Sequence, residues 1–133
     1  MAYLLDTSTW IHHLKNPGGI IQQRIRAVKP QDIYLCSIVK GELWTGAHGY
    51  GDPEKRRKAL QAAFLEHVSL PFDDFAAHEY ARIRFALQKA GQIIGPNDLK
   101  IAAIAYHHGL TVVTCNVDEF RRVVGLKVED WTV

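Results

Sequence analysis

Residues 95–116 read GPNDLKIAAIAYHHGLTVVTCN, a stretch in which a helix and a strand are both legible. Pro96 suits the first turn of a helix, where its missing N–H costs nothing. From Leu99 to Ala105 the chain is apolar on nearly every side, so this helix is buried all round rather than amphipathic. His107–His108–Gly109 closes it. Leu110 to Val113 is a short apolar run of the kind that forms a buried strand. A buried helix running straight into a buried strand belongs to an α/β layer arrangement.

The pattern repeats on either side. Upstream, residues 73–90 carry Ala76, Tyr80, Ile83, Leu87 and Ala90 at spacings of three and four, which predicts an amphipathic helix. Val68–Leu70, closed by Pro71, reads as a strand. Pro53 opens a helix running to about His67 that buries Leu60, Ala63 and Phe64. Ile33–Cys36 is a strand candidate, and Ser37 a plausible cap for a helix carrying Val39, Glu42, Leu43 and Ala47. Residues 20–28 place Ile21, Ile25 and Val28 on one helical face. Ala2–Leu5 is the first strand, ending at Asp6, with Thr7–Ser8–Thr9 as cap candidates for the next helix. Downstream, a short helix is expected between Asn116 and Arg122, and a fifth strand at Leu126–Val128. Strands alternating with helices predict a mainly parallel sheet, and 133 residues suit one domain spanning 1–133.

Composition excludes several classes. No segment reaches the roughly 20 apolar residues that span a bilayer, and the start MAYLLDTSTW lacks the basic and apolar regions of a secretory signal. The protein is therefore expected to be soluble and cytoplasmic. Cys36 and Cys115 begin no CxxC pair and sit in apolar contexts, so both are expected to be small buried hydrophobes. The seven histidines show no finger-like spacing with them and are assigned to helix ends or the surface. A net charge of +2 is too mild to establish a polyanionic partner.

Parallel sheets gather functional groups beyond the carboxyl ends of their strands. Asp6 and Asn116 occupy that position, and Glu42 lies in a helix just after the second strand. Asp98 sits at the amino end of the buried helix, where the dipole favours a negative charge, although Asn97 competes as the cap. Separately, each acid has an ordinary explanation as a cap or a solvated side chain. Together, three carboxylates in one cleft repel one another and raise one another's pKa values, a conflict that a divalent cation resolves. An all-oxygen set suits Mg²⁺ or Mn²⁺.

With these pieces in order, the chain resembles the PIN-domain ribonuclease toxins of bacterial toxin–antitoxin pairs, the VapC family, over essentially its full length. The matching segments are LLDTSTWI (4–11), SIVKGELWTGA (37–47), GPNDLKIAAIA (95–105), TCNVDEF (114–120) and GLKVEDW (125–131). The resemblance implies a PIN-domain fold, a Rossmann-like three-layer sandwich, with a metal pocket whose acids map onto Asp6, Glu42 and Asp98. Many members carry a fourth acid near the end of strand four. Here that position is Asn116, with Asp118 or Glu119 in the same loop as alternatives. Thr7, Ser8 and Thr114 look like residues that hold the carboxylates or metal-bound waters in place. A metal-dependent endoribonuclease acting on a structured RNA such as a tRNA is implied, together with a cognate antitoxin and homodimer formation. Trp10, Ile11, Leu14 and Trp44 are expected around the antitoxin groove.

An acidic centre that cuts a polyanion needs basic residues near it. Lys55-Arg56-Arg57-Lys58 opens a helix against its dipole, which favours a functional reason such as phosphate contact, and Arg121–Arg122 lies beside the acidic loop. Trp10 or Trp44, if exposed, could stack on RNA bases, whereas Trp131 is expected to pack the carboxyl end. The rival readings are a single-strand DNA or RNA nuclease with no toxin role, and a catalytically inactive nucleic-acid-binding domain. A phosphoacceptor receiver domain is disfavoured, since no lysine follows strand four.

Overall fold

The computed structural model describes residues 1–133. Five strands, β1 (Tyr3–Leu5), β2 (Ile33–Cys36), β3 (Val68–Leu70), β4 (Thr111–Val113) and β5 (Val128–Glu129), form one sheet in the order β3-β2-β1-β4-β5. Every neighbouring pair is parallel, with Leu4 opposite both Tyr34 and Val112. The connections are helical: α1 (Thr7–Lys15) and α2 (Ile20–Arg26), then α3 (Ser37–His48) and α4 (Pro53–Phe64), then α5 (Asp74–Ala90) and α6 (Pro96–His108), and finally the short α7 (Val117–Phe120). Adjacent side chains of a strand point to opposite faces. Leu4 and Leu5, like Val112 and Val113, have no exposed surface, so the central strands are covered on both faces. This is the expected Rossmann-like α/β sandwich, with a sheet that is parallel throughout. No helix is long and apolar enough to cross a membrane.

The most hydrophobic segment behaves as its composition dictates. Ile101, Ala102, Ala103, Ile104 and Ala105 are all fully buried, because α6 is enclosed by α5, α3 and β4. Small alanines at 102, 103 and 105 let these neighbours approach closely. Gly109 ends the helix at φ 66°, a left-handed conformation that residues with a Cβ seldom adopt.

The chain reverses direction of growth at β1: β2 and β3 build one side of the sheet, β4 and β5 the other. The crevice at such a switch point opens at the carboxyl ends of the strands, where Asp6 follows β1 and Thr114 follows β4.

Several local expectations are corrected. Asp6 itself caps α1, accepting from Thr9 N at 3.0 Å; Thr7, Ser8 and Thr9 lie inside the helix. Cys36, not Ser37, is the N-cap of α3, while the Ser37 hydroxyl accepts from Phe72 N at 3.2 Å. Gly95 is the N-cap of α6, so neither Asn97 nor Asp98 fills that place. The fifth strand lies at Val128–Glu129, slightly beyond the apolar run at 126–128, because β4 draws Lys127 O and Glu129 O into its ladder. Cys36 is buried as expected, its thiol pushed up to about 11 by burial, with Glu42 and Asp6 adding to the effect. Cys115 is exposed. Trp131 does pack the carboxyl end, edge-on to Tyr3 at 5.0 Å. Five of the histidines fall in the last turns of α1, α3 and α6.

The burial pattern makes α6 the element least tolerant of truncation. Ile104→Ala should lower unfolding free energy by about 3 kcal/mol. Leu65→Ala, at a side chain 88% exposed, should stay within about 0.5 kcal/mol of wild type. Urea denaturation of the two variants checks both values.

Candidate active site

Asp6 is only 2% exposed, and a buried carboxylate is tolerable when its oxygens are hydrogen-bonded. Its Oδ1 accepts from Thr9 N at 3.0 Å and from the Ser8 hydroxyl at 2.7 Å. Its Oδ2 accepts from the Thr114 hydroxyl at 2.5 Å. Its backbone N–H donates to Val113 O at 2.9 Å, the last rung of the β1–β4 seam. Burial pushes the Asp6 carboxyl above its ordinary range, and the bonds from Thr114, Thr9 and Ser8 pull it part of the way back. The hydroxyls also reach outward. Ser8 Oγ accepts from Cys115 N at 3.1 Å and Thr114 Oγ1 from Asn116 N at 2.8 Å. The loop after β4 is thus fastened to the same side chains that fasten Asp6.

Glu42 stands on α3. Its Oε1 accepts from the Thr7 hydroxyl at 2.6 Å, and its Oε2 receives a longer contact from Asn97 Nδ2 at 3.4 Å. Asp98 lies in the first turn of α6. The dipole at that helix end favours ionisation, but it is outweighed. Burial and then the negative charge of Glu119 push the Asp98 carboxyl up to about 7, with Asp6 and Glu42 adding to the effect. A proton shared with Glu119 also favours the neutral form of Asp98. Glu119 Oε1 in turn accepts from Gly95 N at 2.8 Å, which fixes it against the start of α6. A Cβ at Gly95 would fall 3.5 Å from Glu119 Oε1 and 4.0 Å from Asp98 Oδ2.

Four acidic side chains from four separate segments are therefore gathered at one sheet edge. Of the three alternatives for a fourth acid, Glu119 faces Asp98. Asn116 is exposed at the N-cap of α7 and makes no side-chain cap bond, and Asp118 is also exposed.

The basic candidates separate. Arg56 lies 4.0 Å from the Tyr50 ring and lines a groove that Glu42 also borders. Arg57 pairs with Glu54 at 3.4 Å on the surface, and Lys55 and Lys58 are exposed. The opposition between this basic run and the dipole of α4 is relieved locally, because Asp52 caps the helix and Glu54 adds negative charge to its first turn. Arg121 and Arg122 are exposed, and Arg122 Nη1 donates to Ile93 O at 3.0 Å.

The apolar groove is about 230 Å³, walled by Ile11, Leu14, Leu43, Ala47 and Leu60. Two of the residues expected around it lie elsewhere. Trp10 is 2% exposed, packed edge-on to His13, and so is unavailable for stacking on RNA. Trp44 packs edge-on against Phe64 at 5.3 Å.

The model of the PIN domain family matches residues 3–126. The tRNA(fMet)-specific endonuclease VapC of Salmonella typhimurium is 34% identical over 98% of both chains. Ribonuclease VapC1 of Haemophilus influenzae is 35% identical over 99% of both. The chain belongs to the PIN-domain VapC toxin family. In structure the likeness is equally complete. The VapBC complex of Salmonella typhimurium, solved bound to DNA, contains a chain that superposes with a TM-score of 0.92 at 34% identity, with 98% of each chain covered. VapC toxins are the nuclease partners of toxin–antitoxin systems, and PIN domains typically use divalent metal ions.

The residues present fit such an ion by their chemistry. The donors are carboxylate oxygens alone, braced by hydroxyls, and their mutual repulsion is relieved by positive charge. As the side chains stand, no three of them form a metal-holding cluster; the fit lies in the donor chemistry alone.

Two consequences can be measured. Thr114→Val removes a hydroxyl that donates to Asp6 and accepts from Asn116 N. It should cost about 2 kcal/mol in urea denaturation, and Thr114→Ser should recover most of the loss. Asp98 has a folded-state pKa of about 7 against an ordinary value of 3.8. Between those pH values the native state holds the proton more tightly than the unfolded chain. Stability of the metal-free protein should therefore fall as pH rises from about 4 to about 7 and then level off. At pH 8 Asp98→Asn should be the more stable protein, by about 1–2 kcal/mol after solvent screening. A lower melting temperature for Asp98→Asn at that pH would contradict the assignment.

Proposed function

We propose that this VapC-family chain, acting as one PIN domain over residues 1–133, is a magnesium- or manganese-dependent endoribonuclease toxin that cuts a structured RNA. A tRNA is the class named for its Salmonella relative. The observation that carries the reading is the convergence of Asp6, Glu42, Asp98 and Glu119 where the carboxyl ends of β1 and β4 meet, with Asp6 fixed by three donors.

Asp6 and Asp98 are the residues to hold the ion, with Glu42 as a third ligand or as the base. A bound divalent ion supplies a water of lowered pKa and offsets charge on the phosphoryl group in flight. The protein's own part is positioning. Thr7 holds Glu42 Oε1, so Oε2, which receives only the long Asn97 contact, is left to orient the attacking water and take its proton. Gly95 N holds Glu119 Oε1 at the head of α6, facing Asp98. Asn116, its side chain exposed at the N-cap of α7 and free of any cap bond, is left to orient a water or to ligate weakly through its amide carbonyl.

The products are a 5′-phosphate and a 3′-hydroxyl, and the 2′-hydroxyl is not required. Chemistry alone therefore does not select RNA over DNA, and family membership supports RNA. Lys55, Arg56, Arg57, Lys58, Arg121 and Arg122 are the candidates for phosphate contact. The groove of Ile11, Leu14, Leu43, Ala47 and Leu60 suits the apolar face of an antitoxin helix, and Glu42 at its border lies within that partner's reach. A homodimer is the working assembly.

The test is a cleavage assay with folded tRNAs, unstructured RNA and single-stranded DNA, in Mg²⁺, in Mn²⁺ and in chelator. RNA should be cut only with metal, and Asp98→Asn should lower the rate at least ~100-fold without unfolding the protein. Equal cutting of DNA would sink the ribonuclease assignment, and inactivity on every substrate would favour a nucleic-acid-binding domain.

A further inference from the structure

Glu42 stands on a ridge between two grooves of opposite character. One is the apolar groove just described. The other is open and polar, about 540 Å³ in volume, and lined by Ser37, Ile38, Gly41, Glu42, Thr45 and Asn97. Residues 37, 38, 41, 42 and 45 follow one face of α3, and Asn97 forms the facing wall from the first turn of α6. Only Ile38 among them is hydrophobic.

The free hydrogen-bonding groups define what fits. Ser37 Oγ accepts from Phe72 N, which leaves its O–H to donate. Thr45 Oγ1 donates to Gly41 O at 2.8 Å, which leaves its lone pairs to accept. Asn97 gives one N–H to Glu42 at 3.4 Å, and its carbonyl and second N–H remain. No lysine or arginine lines this groove, and a carboxylate forms part of its wall, so a phosphate is the wrong occupant. No aromatic ring lines it either, which excludes base stacking. Neutral donors and acceptors set side by side match the edge of a nucleobase.

Position 41, in the lining of the groove, has no side chain. Glycine in the middle of a helix weakens it, yet nothing lies within 4 Å of where a Cβ at Gly41 would stand. Packing within the chain therefore does not require glycine there.

We propose that this groove seats one base of the RNA, next to the bond that is cut, and reads its edge through Asn97, Thr45 and Ser37. The proposal rests on the endoribonuclease reading. The polar groove then takes substrate while the apolar groove takes the inhibitory helix, and Glu42 serves both.

Gly41→Leu is the decisive variant, because leucine favours helix, its Cβ meets no atom within 4 Å, and its side chain takes up part of the groove. It should melt no lower than wild type and bind Mn²⁺ unchanged by titration calorimetry. The substrates are synthetic RNAs spanning the bond that wild type cuts, intact or with an abasic ribose on either side of it. An abasic ribose at one of those two positions should lower wild-type kcat/KM about 10-fold. Gly41→Leu should lose about as much on intact RNA and lose little more on that abasic RNA, because both changes remove one interaction. Full activity of Gly41→Leu, or losses that multiply, would overturn the groove alone. A loss of cutting accompanied by a change of oligomeric state in light scattering would assign the face to a second copy and also overturn it. Wild type that cuts no RNA at all would instead bring down the endoribonuclease reading, and the groove with it.

Discussion

The Thr114 hydroxyl donates to Asp6 Oδ2 across the seam between β1 and β4, and much of the molecule is arranged around that contact. It joins residues 108 positions apart at the point where the sheet changes its direction of growth. A carboxylate this deeply buried needs a donor on each oxygen, and the donors come from the first turn of α1 and from the loop after β4. The carboxylate is therefore not merely attached to the scaffold. It closes α1 at its amino end, ties down the loop that leads to Glu119, and sets the inner wall of the acidic pocket.

Around that fixed charge the remaining acids stand in graded tension. Asp98 carries the strain, because it is partly buried and faces three other carboxylates. The favourable end of α6 does not compensate, since a helix terminus contributes about half a charge against several whole ones. An arrangement of this kind weakens the metal-free protein and favours any ligand that brings positive charge. The same tension would be relieved by any cation held there.

Much of this was legible in the sequence because hydrophobic periodicity follows directly from burial. The run from Leu99 to Ala105 could only be an enclosed helix, and the apolar ends at Leu5 and Val113 placed Asp6 and Thr114 at one edge. What the sequence concealed lay in capping and side-chain direction. Thr7, Ser8 and Thr9 are better-known caps than they prove to be here, since Asp6 takes the role while also facing the pocket. Trp10 carries no mark that distinguishes a buried indole from an exposed one, and it is on the buried side of α1 rather than in the groove. Cys115 follows five buried residues, Leu110 to Thr114, but the chain has already turned outward. That Glu119, rather than Asn116 or Asp118, faces Asp98 follows from the turn of α7, which only the folded loop supplies.

That turn also ties two distant parts of the chain to one another. Glu119 stands three residues past Asn116, about one helical turn further along, and its Oε1 accepts from Gly95 N. The short segment after β4 therefore fixes the head of α6 as well as the carboxylate that faces Asp98. An insertion or deletion between Thr114 and Glu119 would shift both at once, so the length of this segment is held by the helix it meets as much as by the strand it leaves.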